Sequence, residues 1–222
     1  MVVKKRVAII DDHQLFLDGA SNLFNSQGDE FQVSTFTDPL TVLSLLDEGL
    51  DYEVIVVDLL MGSMNGLAFV GALRSRNIAT PVLLLSGLDS PLPAPDLLAA
   101  GAHGYISKKA DLASFFKAVR AVMDGGTFFD DEHSGVEELQ ASRLRNCVSE
   151  KADSESRATP KLSDRQIEIL RHIRQGWSNK DISESLSISE NTVKSHIKQI
   201  FRELNVSKRT ASIQKAQVYG LI

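Results

Sequence analysis

Val7-Ala8-Ile9-Ile10-Asp11-Asp12, residues 7–12, runs four apolar residues straight into two carboxylates. The pattern returns at residues 54–57, which lead into Asp58, and at residues 82–85, which lead into Ser86. Two more short runs of apolar or β-branched residues lie at 31–37 and 105–106, making five. Between them, apolar residues recur at helical spacing: Phe16, Leu23 and Phe24; Val42, Leu43 and Leu46; Leu67, Phe69, Val70 and Leu73. A last set follows the fifth run, through Leu112, Phe115, Phe116, Val119 and Val122. Strands alternating with helices of this length predict βαβ units and a parallel sheet. Strands that are apolar throughout predict helices on both faces. The expected fold class is an α/β, doubly wound domain with a five-stranded parallel sheet.

One connection breaks the rule. Between the fourth and fifth runs the chain reads Asp89-Ser90-Pro91-Leu92-Pro93-Ala94-Pro95-Asp96-Leu97-Leu98-Ala99-Ala100-Gly101. A proline inside a helix costs about 3 kcal/mol or more, and each proline drives its predecessor toward extended backbone. Only about residues 95–100 remain for a helix, with Pro95 in its first turn. A stub helix beneath an extended, polyproline-like strap is expected, with signalling or pairing moved to another surface, that of the first and fifth helices.

Open parallel sheets bind ligands beyond the carboxyl ends of their strands. Those ends carry Asp11 and Asp12 after the first run, Asp58 after the third, Ser86 after the fourth and Lys108 past the fifth. An aspartate at a strand end is often only a cap or a turn residue. The whole set on separate strands points instead to a site. Clustered carboxylates suit a hard cation such as Mg²⁺. An ammonium beside them would neutralise an incoming phosphoryl group, which a carboxylate can accept as an acyl phosphate. Neither a Walker-type glycine loop nor Gly-x-Gly-x-x-Gly follows the first run, which disfavours a nucleotide.

The runs Ile9-Ile10-Asp11-Asp12-His13, Val57-Asp58-Leu59-Leu60-Met61, Leu85-Ser86-Gly87 and Gly101-Ala102-His103-Gly104-Tyr105-Ile106-Ser107-Lys108 closely resemble the receiver domain of two-component response regulators, a flavodoxin-like fold. The resemblance implies that Asp58 is the phosphoacceptor. It implies that Asp12, Asp58 and the backbone carbonyl of Leu60 ligate Mg²⁺ or Mn²⁺ directly, with Asp11 close by through water. By the same likeness Ser86 and Lys108 contact the phosphoryl group, and Tyr105 is the aromatic that reorients on activation. Gly62 stands where that family usually has proline, and Asn65 where aspartate often precedes Gly66.

The 222 residues carry a net charge of −5, unevenly spread. Residues 161–222 hold 11 Lys+Arg against 6 Asp+Glu, whereas residues 1–160 hold 13 against 23. A basic piece on an acidic partner suggests nucleic-acid binding by the second half. Residues 147–160 are polar and serine-rich, as in a linker. Val136, Leu139 and Leu144 predict a connecting helix within 133–146. The domains expected are 1–125, a linker with that helix over 126–160, and 161–222. The lone cysteine, Cys147, permits no internal disulfide. No apolar run approaches the roughly 18 residues of a membrane span. The first ten residues also fall short of the apolar core of about 7–15 residues in a secretory signal. A cytoplasmic protein with no membrane partner is expected.

In the second half, Ser163 with Gln166 forms a capping box before Ile167, Leu170 and Ile173, and that helix ends at Gly176. Ser178 with Asp181 opens a second helix carrying Ile182 and Leu186. Ser189 caps a third, in which Val193, Ile197, Ile200 and Leu204 form a buried stripe. Its opposite face shows Asn191, Lys194, Ser195, Lys198 and Arg202, which suits a DNA major groove. The runs Ser178-Asn179-Lys180-Asp181-Ile182 and Ser189-Glu190-Asn191-Thr192-Val193-Lys194-Ser195-His196-Ile197 resemble the LuxR-type helix-turn-helix of NarL/FixJ-type response regulators, an all-α, four-helix domain. The resemblance implies that Lys194, Ser195 and Lys198 face base edges. It also implies that Ser178, Asn179, Thr192, His196 and Arg209 touch the phosphate backbone. Gln166 replaces an acidic residue common in that family, and Glu203 a frequent lysine.

The function expected is phosphorylation-controlled transcriptional regulation rather than enzymatic turnover, the receiver catalysing at most its own phosphorylation and dephosphorylation. A sensor histidine kinase would phosphorylate Asp58, and paired DNA domains of a homodimer would bind two half-sites on double-stranded DNA. The alternative is an atypical regulator whose receiver is a phosphorylation-independent protein-interaction module. A magnesium-dependent phosphohydrolase would lack a general acid and leave the helix-turn-helix unexplained.

Overall fold

The computed structural model describes residues 4–88, 92–129 and 160–222, which fall into two compact units. The first is the parallel sheet. Strands β1 (Lys5–Ile10), β2 (Phe31–Phe36), β3 (Val54–Asp58), β4 (Val82–Ser86) and β5 (Gly104–Ser107) alternate with helices. These are α1 (Gln14–Asn25), α2 (Pro39–Asp47), α3 (Gly66–Ser75), α4 (Ala94–Ala99) and α5 (Leu112–Met123). A sixth strand, β6 (Phe128–Phe129), extends the expected five and lies past residue 125, where linker was expected. The order is β2-β1-β3-β4-β5-β6 and every pair is parallel. It reverses direction at β1, so the ligand crevice opens between β1 and β3.

The apolar runs behave as their composition demands. Every residue of β3 and β4 is buried. Asp38, Asn65 and Asp111 cap α2, α3 and α5, accepting from Leu40, Ala68 and Ser114 backbone N–H groups. Each such cap is worth about 1 kcal/mol. Between α1, β2 and α5, Phe24 packs edge-on against Phe31, Phe115 and Phe116 at centroid distances of 5.2, 5.8 and 5.0 Å. That geometry suits the aromatic quadrupole.

Two glycines are required by contact. A Cβ on Gly104 would lie 2.8 Å from the Phe128 carbonyl, so only glycine lets β6 dock against β5. On Gly66 it would lie 2.7 Å from the Asp58 carbonyl and 3.0 Å from Leu84. Gly66 thus lets α3 start directly against the end of β3. Gly66→Ala is expected to cost about 1–3 kcal/mol by overpacking, measured by urea unfolding; an unchanged midpoint would contradict this packing.

The proline-broken connection holds the expected stub helix. Helix α4 has only six residues, beginning and ending one residue earlier than the expected 95–100, with Pro95 in its first turn. Pro93 precedes it at φ −59°, ψ 131°, in the polyproline region. Leu92, Ala94 and Leu97 are buried, which supplies the packing so short a helix needs. Residues 89–91 of the strap, and the helix expected within 133–146, lie outside the described residues.

The second unit consists of α6 (Asp164–Arg174), α7 (Asn179–Ser185), α8 (Glu190–Glu203) and α9 (Arg209–Val218). Both capping boxes form: Ser163 with Gln166, and Ser178 with Asp181. Ser189 accepts from the Thr192 N–H to cap α8. Ile169, Leu170, Ile173, Ile182, Val193, Ile200, Leu204 and Ala216 form the core, and Ile197 of the expected stripe is only partly buried. Among the described residues no helix is long and apolar enough to cross a membrane.

Candidate functional site

At the carboxyl edge of the sheet, β1 delivers Asp11, β3 ends on Asp58, β4 ends on Ser86, and Lys108 follows β5. Asp11 and Ser86 are wholly buried, and Asp58 is 3% exposed. The Lys108 ammonium lies 2.5 Å from Asp11 Oδ2 and 3.0 Å from Asp58 Oδ2, bridging two buried carboxylates. Its position is fixed because the Lys108 N–H donates to the Ser86 carbonyl at 2.7 Å. The ammonium also stands 5.0 Å above the Phe16 ring. Tyr105, on β5 opposite Leu84, is 2% exposed.

Two carboxylates and one ammonium leave the pocket an excess of negative charge. Burial, the largest influence, raises the Asp58 carboxyl above its ordinary value; Lys108 lowers it and the Asp11 charge adds to the rise. Burial pulls Lys108 down, but its hydrogen bond to Asp11 and the Asp58 charge outweigh that and leave it above the ordinary lysine value. The Leu60 backbone N–H hydrogen-bonds to Asp58. Asp12 is more exposed and accepts from the Gly62 N–H at 3.1 Å. Proline at 62 would have no N–H to give, so glycine here adds a hydrogen bond to the acid cluster. Asn65 likewise does the capping of an aspartate, its Oδ1 accepting from Ala68.

The sequence reading missed His13. Its Nδ1 lies 2.9 Å from Asp11 Oδ1 and 2.8 Å from Asp12 Oδ1. Side-chain atoms of Asp11, Asp12, His13 and Asp58 all come within 4.8 Å of one another. Three carboxylates in such reach, on a pocket of excess negative charge, fit a hard divalent cation. The imidazole's adjacency to the acids in the sequence was the available signal.

On the second unit, Lys194, Ser195 and Lys198 are exposed on one face of α8, as expected, with Asn191, Thr192 and Arg202 exposed beside them. Ser195 Oγ donates back to the Asn191 carbonyl, and Thr192 shares a hydrogen bond with Ser189. Ser178 is exposed but its hydroxyl donates to Asp181. His196 is half-buried, and its Nδ1 has no partner among the described residues. Arg209 is half-buried, with its guanidinium on the Asn179 side chain and the Trp177 carbonyl. Gln166 both accepts from Ser163 and donates to Gln199 of α8 at 3.2 Å, a pairing in which a carboxylate has no proton to give.

A charged pocket at the mouth of a parallel sheet, followed by a helix-turn-helix unit, defines a switch domain joined to a nucleic-acid reader. Residues 7–120 match the response regulator receiver domain family, and residues 160–216 match the family described as bacterial regulatory proteins, luxR family. The chain is 33% identical to the nitrate/nitrite response regulator protein NarP of Escherichia coli (strain K12), over 93% of this chain and 92% of that one. It is 30% identical to the transcriptional regulatory protein DegU of Brevibacillus brevis, over 99% and 95%. It shares its fold with RcsB from Salmonella enterica serovar Typhimurium bound to promoter P1flhDC, at a TM-score of 0.68 and 21% identity, covering 97% and 99% of the two chains. The chain belongs to the response regulators, with a receiver domain and a luxR-type DNA-binding domain, and is a two-component transcriptional regulator.

Proposed function

We propose that Asp58 accepts a phosphoryl group from a sensor histidine kinase and that the acyl phosphate controls pairing of the luxR-type units on two DNA half-sites. The observation that carries this reading is a buried Asp58 carboxylate held 3.0 Å from the Lys108 ammonium beside Asp11. A carboxylate oxygen forms the new P–O bond as the P–N bond of the donor phosphohistidine breaks, and the departing imidazole nitrogen takes up a proton. Lys108, already placed between the two acids, is within reach to follow the charge from Asp58 to the phosphoryl oxygens. Ser86 supplies a hydroxyl beside it. Asp11, Asp12, Asp58 and the Leu60 carbonyl would hold Mg²⁺ or Mn²⁺, which supplies further neutralisation of the phosphoryl charge. Tyr105 is the aromatic proposed to move with the switch, and receiver chemistry is limited to its own phosphorylation and dephosphorylation.

The domain limits proposed are 1–125, 126–160 and 161–222, with β6 as a sheet edge at the start of the linker. We place the protein in the cytoplasm, as a homodimer when active. With α4 reduced to a stub, pairing is assigned to α1 and α5, where Leu15 (85% exposed), Leu23 and Leu112 stand open. Incubation with a small phosphodonor and Mg²⁺ tests the reading. One stable acyl phosphate per chain is expected; no labelling fits the interaction-module alternative, and multiple turnover fits a phosphohydrolase.

The phosphoryl group is expected to be long-lived. Leu60, two residues after Asp58, and Leu88, two after Ser86, offer no group to orient an attacking water. Leu60→Asn or Leu88→Glu should hasten decay roughly tenfold, the scale of one added hydrogen bond. Unchanged decay of the acyl phosphate in both variants would contradict this.

A further inference from the structure

We propose that Arg209 is a positioning residue of the DNA interface: it acts on the phosphate backbone through the Asn179 amide that it holds, and not by touching phosphate itself. This rests on the reading that the luxR-type unit binds DNA. Arg209 opens α9, and Asn179 opens α7, thirty residues earlier in the chain. Arg209 Nη1 donates to Asn179 Oδ1 at 3.1 Å, while Nη2 donates to the Trp177 carbonyl. Trp177 in turn stacks on His172 of α6, with ring centroids 4.4 Å apart and planes at 24°. One guanidinium therefore ties the start of α9 to the start of α7 and to the turn leading out of α6.

The consequence for Asn179 follows from the chemistry of an amide. Its oxygen and nitrogen lie on opposite sides of one rotatable plane, so a partner that takes the oxygen leaves the NH₂ as the outward group. An outward NH₂ is a donor, and it can donate to a phosphate oxygen. Released from Arg209, the amide loses the partner that orients it and can present its oxygen, an acceptor that repels phosphate. The planar fork reaches both Oδ1 and the Trp177 carbonyl at once. A lysine ammonium is a point donor and does not span the two. Burial also lowers the guanidinium's pKa from the usual arginine value, in keeping with a group turned toward the protein.

The test uses the full chain and a random-sequence duplex, with binding followed by anisotropy over a range of salt. Arg209→Lys, which keeps the charge, is expected to weaken binding roughly 3- to 10-fold, as is Asn179→Ala, on the scale of one hydrogen bond. The double variant is expected to be no weaker than either, and the salt slope of Arg209→Lys to stay at the wild-type value. Multiplying losses, or Arg209→Lys binding like wild type, overturns the inference while leaving DNA binding intact. A wild-type chain that binds no duplex overturns the DNA reading and this inference with it. A measurement on the unaltered chain guards against a variant that fails to fold. On adding duplex, the Asn179 side-chain amide resonances should shift in NMR spectra and those of the Arg209 guanidinium should hold. The reverse pattern overturns the proposal.

Discussion

Asp58→Asn is expected to abolish labelling by a phosphodonor while leaving the fold unchanged. The amide is nearly isosteric with the carboxylate but has no anionic oxygen with which to form an acyl phosphate. Loss of stability is not expected, because Lys108 keeps its 2.5 Å partner in Asp11. Removing Asp58's charge leaves one half-buried ammonium against one buried carboxylate, where two carboxylates had shared a single ammonium. The variant thereby removes the charge that burial disfavours, the same burial that raises the Asp58 carboxyl. Intact-mass spectra should show one added phosphoryl group on the wild type and none on the variant, with equal thermal midpoints. Equal labelling would move the phosphoacceptor elsewhere.

The second large effect lies on α8. Lys194 and Lys198 are one turn apart on its exposed face, and each is expected to discriminate bases by about 1–3 kcal/mol. Lys198→Ala should lose preference at particular base pairs of a duplex selected from a random pool, with little change on scrambled sequence. Adding Lys194→Ala should widen the loss, though not by simple addition, since the two side chains are neighbours. Equal weakening on selected and scrambled duplexes would mean that this face meets phosphate, and the orientation of α8 in the groove would be wrong.

The legibility of the fold differs from element to element for physical reasons. β1, β3 and β4 announce themselves because a strand buried on both faces must be apolar throughout, and the acids follow where those runs stop. The short α4 is legible too, since Pro91, Pro93 and Pro95 act locally through their own backbone. By contrast, β6 is two phenylalanines long, below any period, and exists because Gly104 leaves room beside β5. The Gly62 N–H reaches Asp12 across 50 residues of sequence, so nothing local shows why glycine replaces proline there. Arg209 illustrates the same limit. Its charge suggests phosphate, and only the tertiary fold, which brings the start of α9 to the start of α7, shows the guanidinium bonded to Asn179.

Control of DNA binding by the state of Asp58 is the central claim, and duplex affinity measured before and after stoichiometric phosphorylation tests it most directly. The same preparation, split in two and titrated against a selected two-half-site duplex, serves both arms, with Asp58→Asn treated in parallel. Phosphorylation is expected to tighten binding and raise its cooperativity in the wild type, and to change nothing in Asp58→Asn. Identical binding curves for the phosphorylated and unphosphorylated wild type would contradict the account and leave the receiver as an interaction module independent of phosphate.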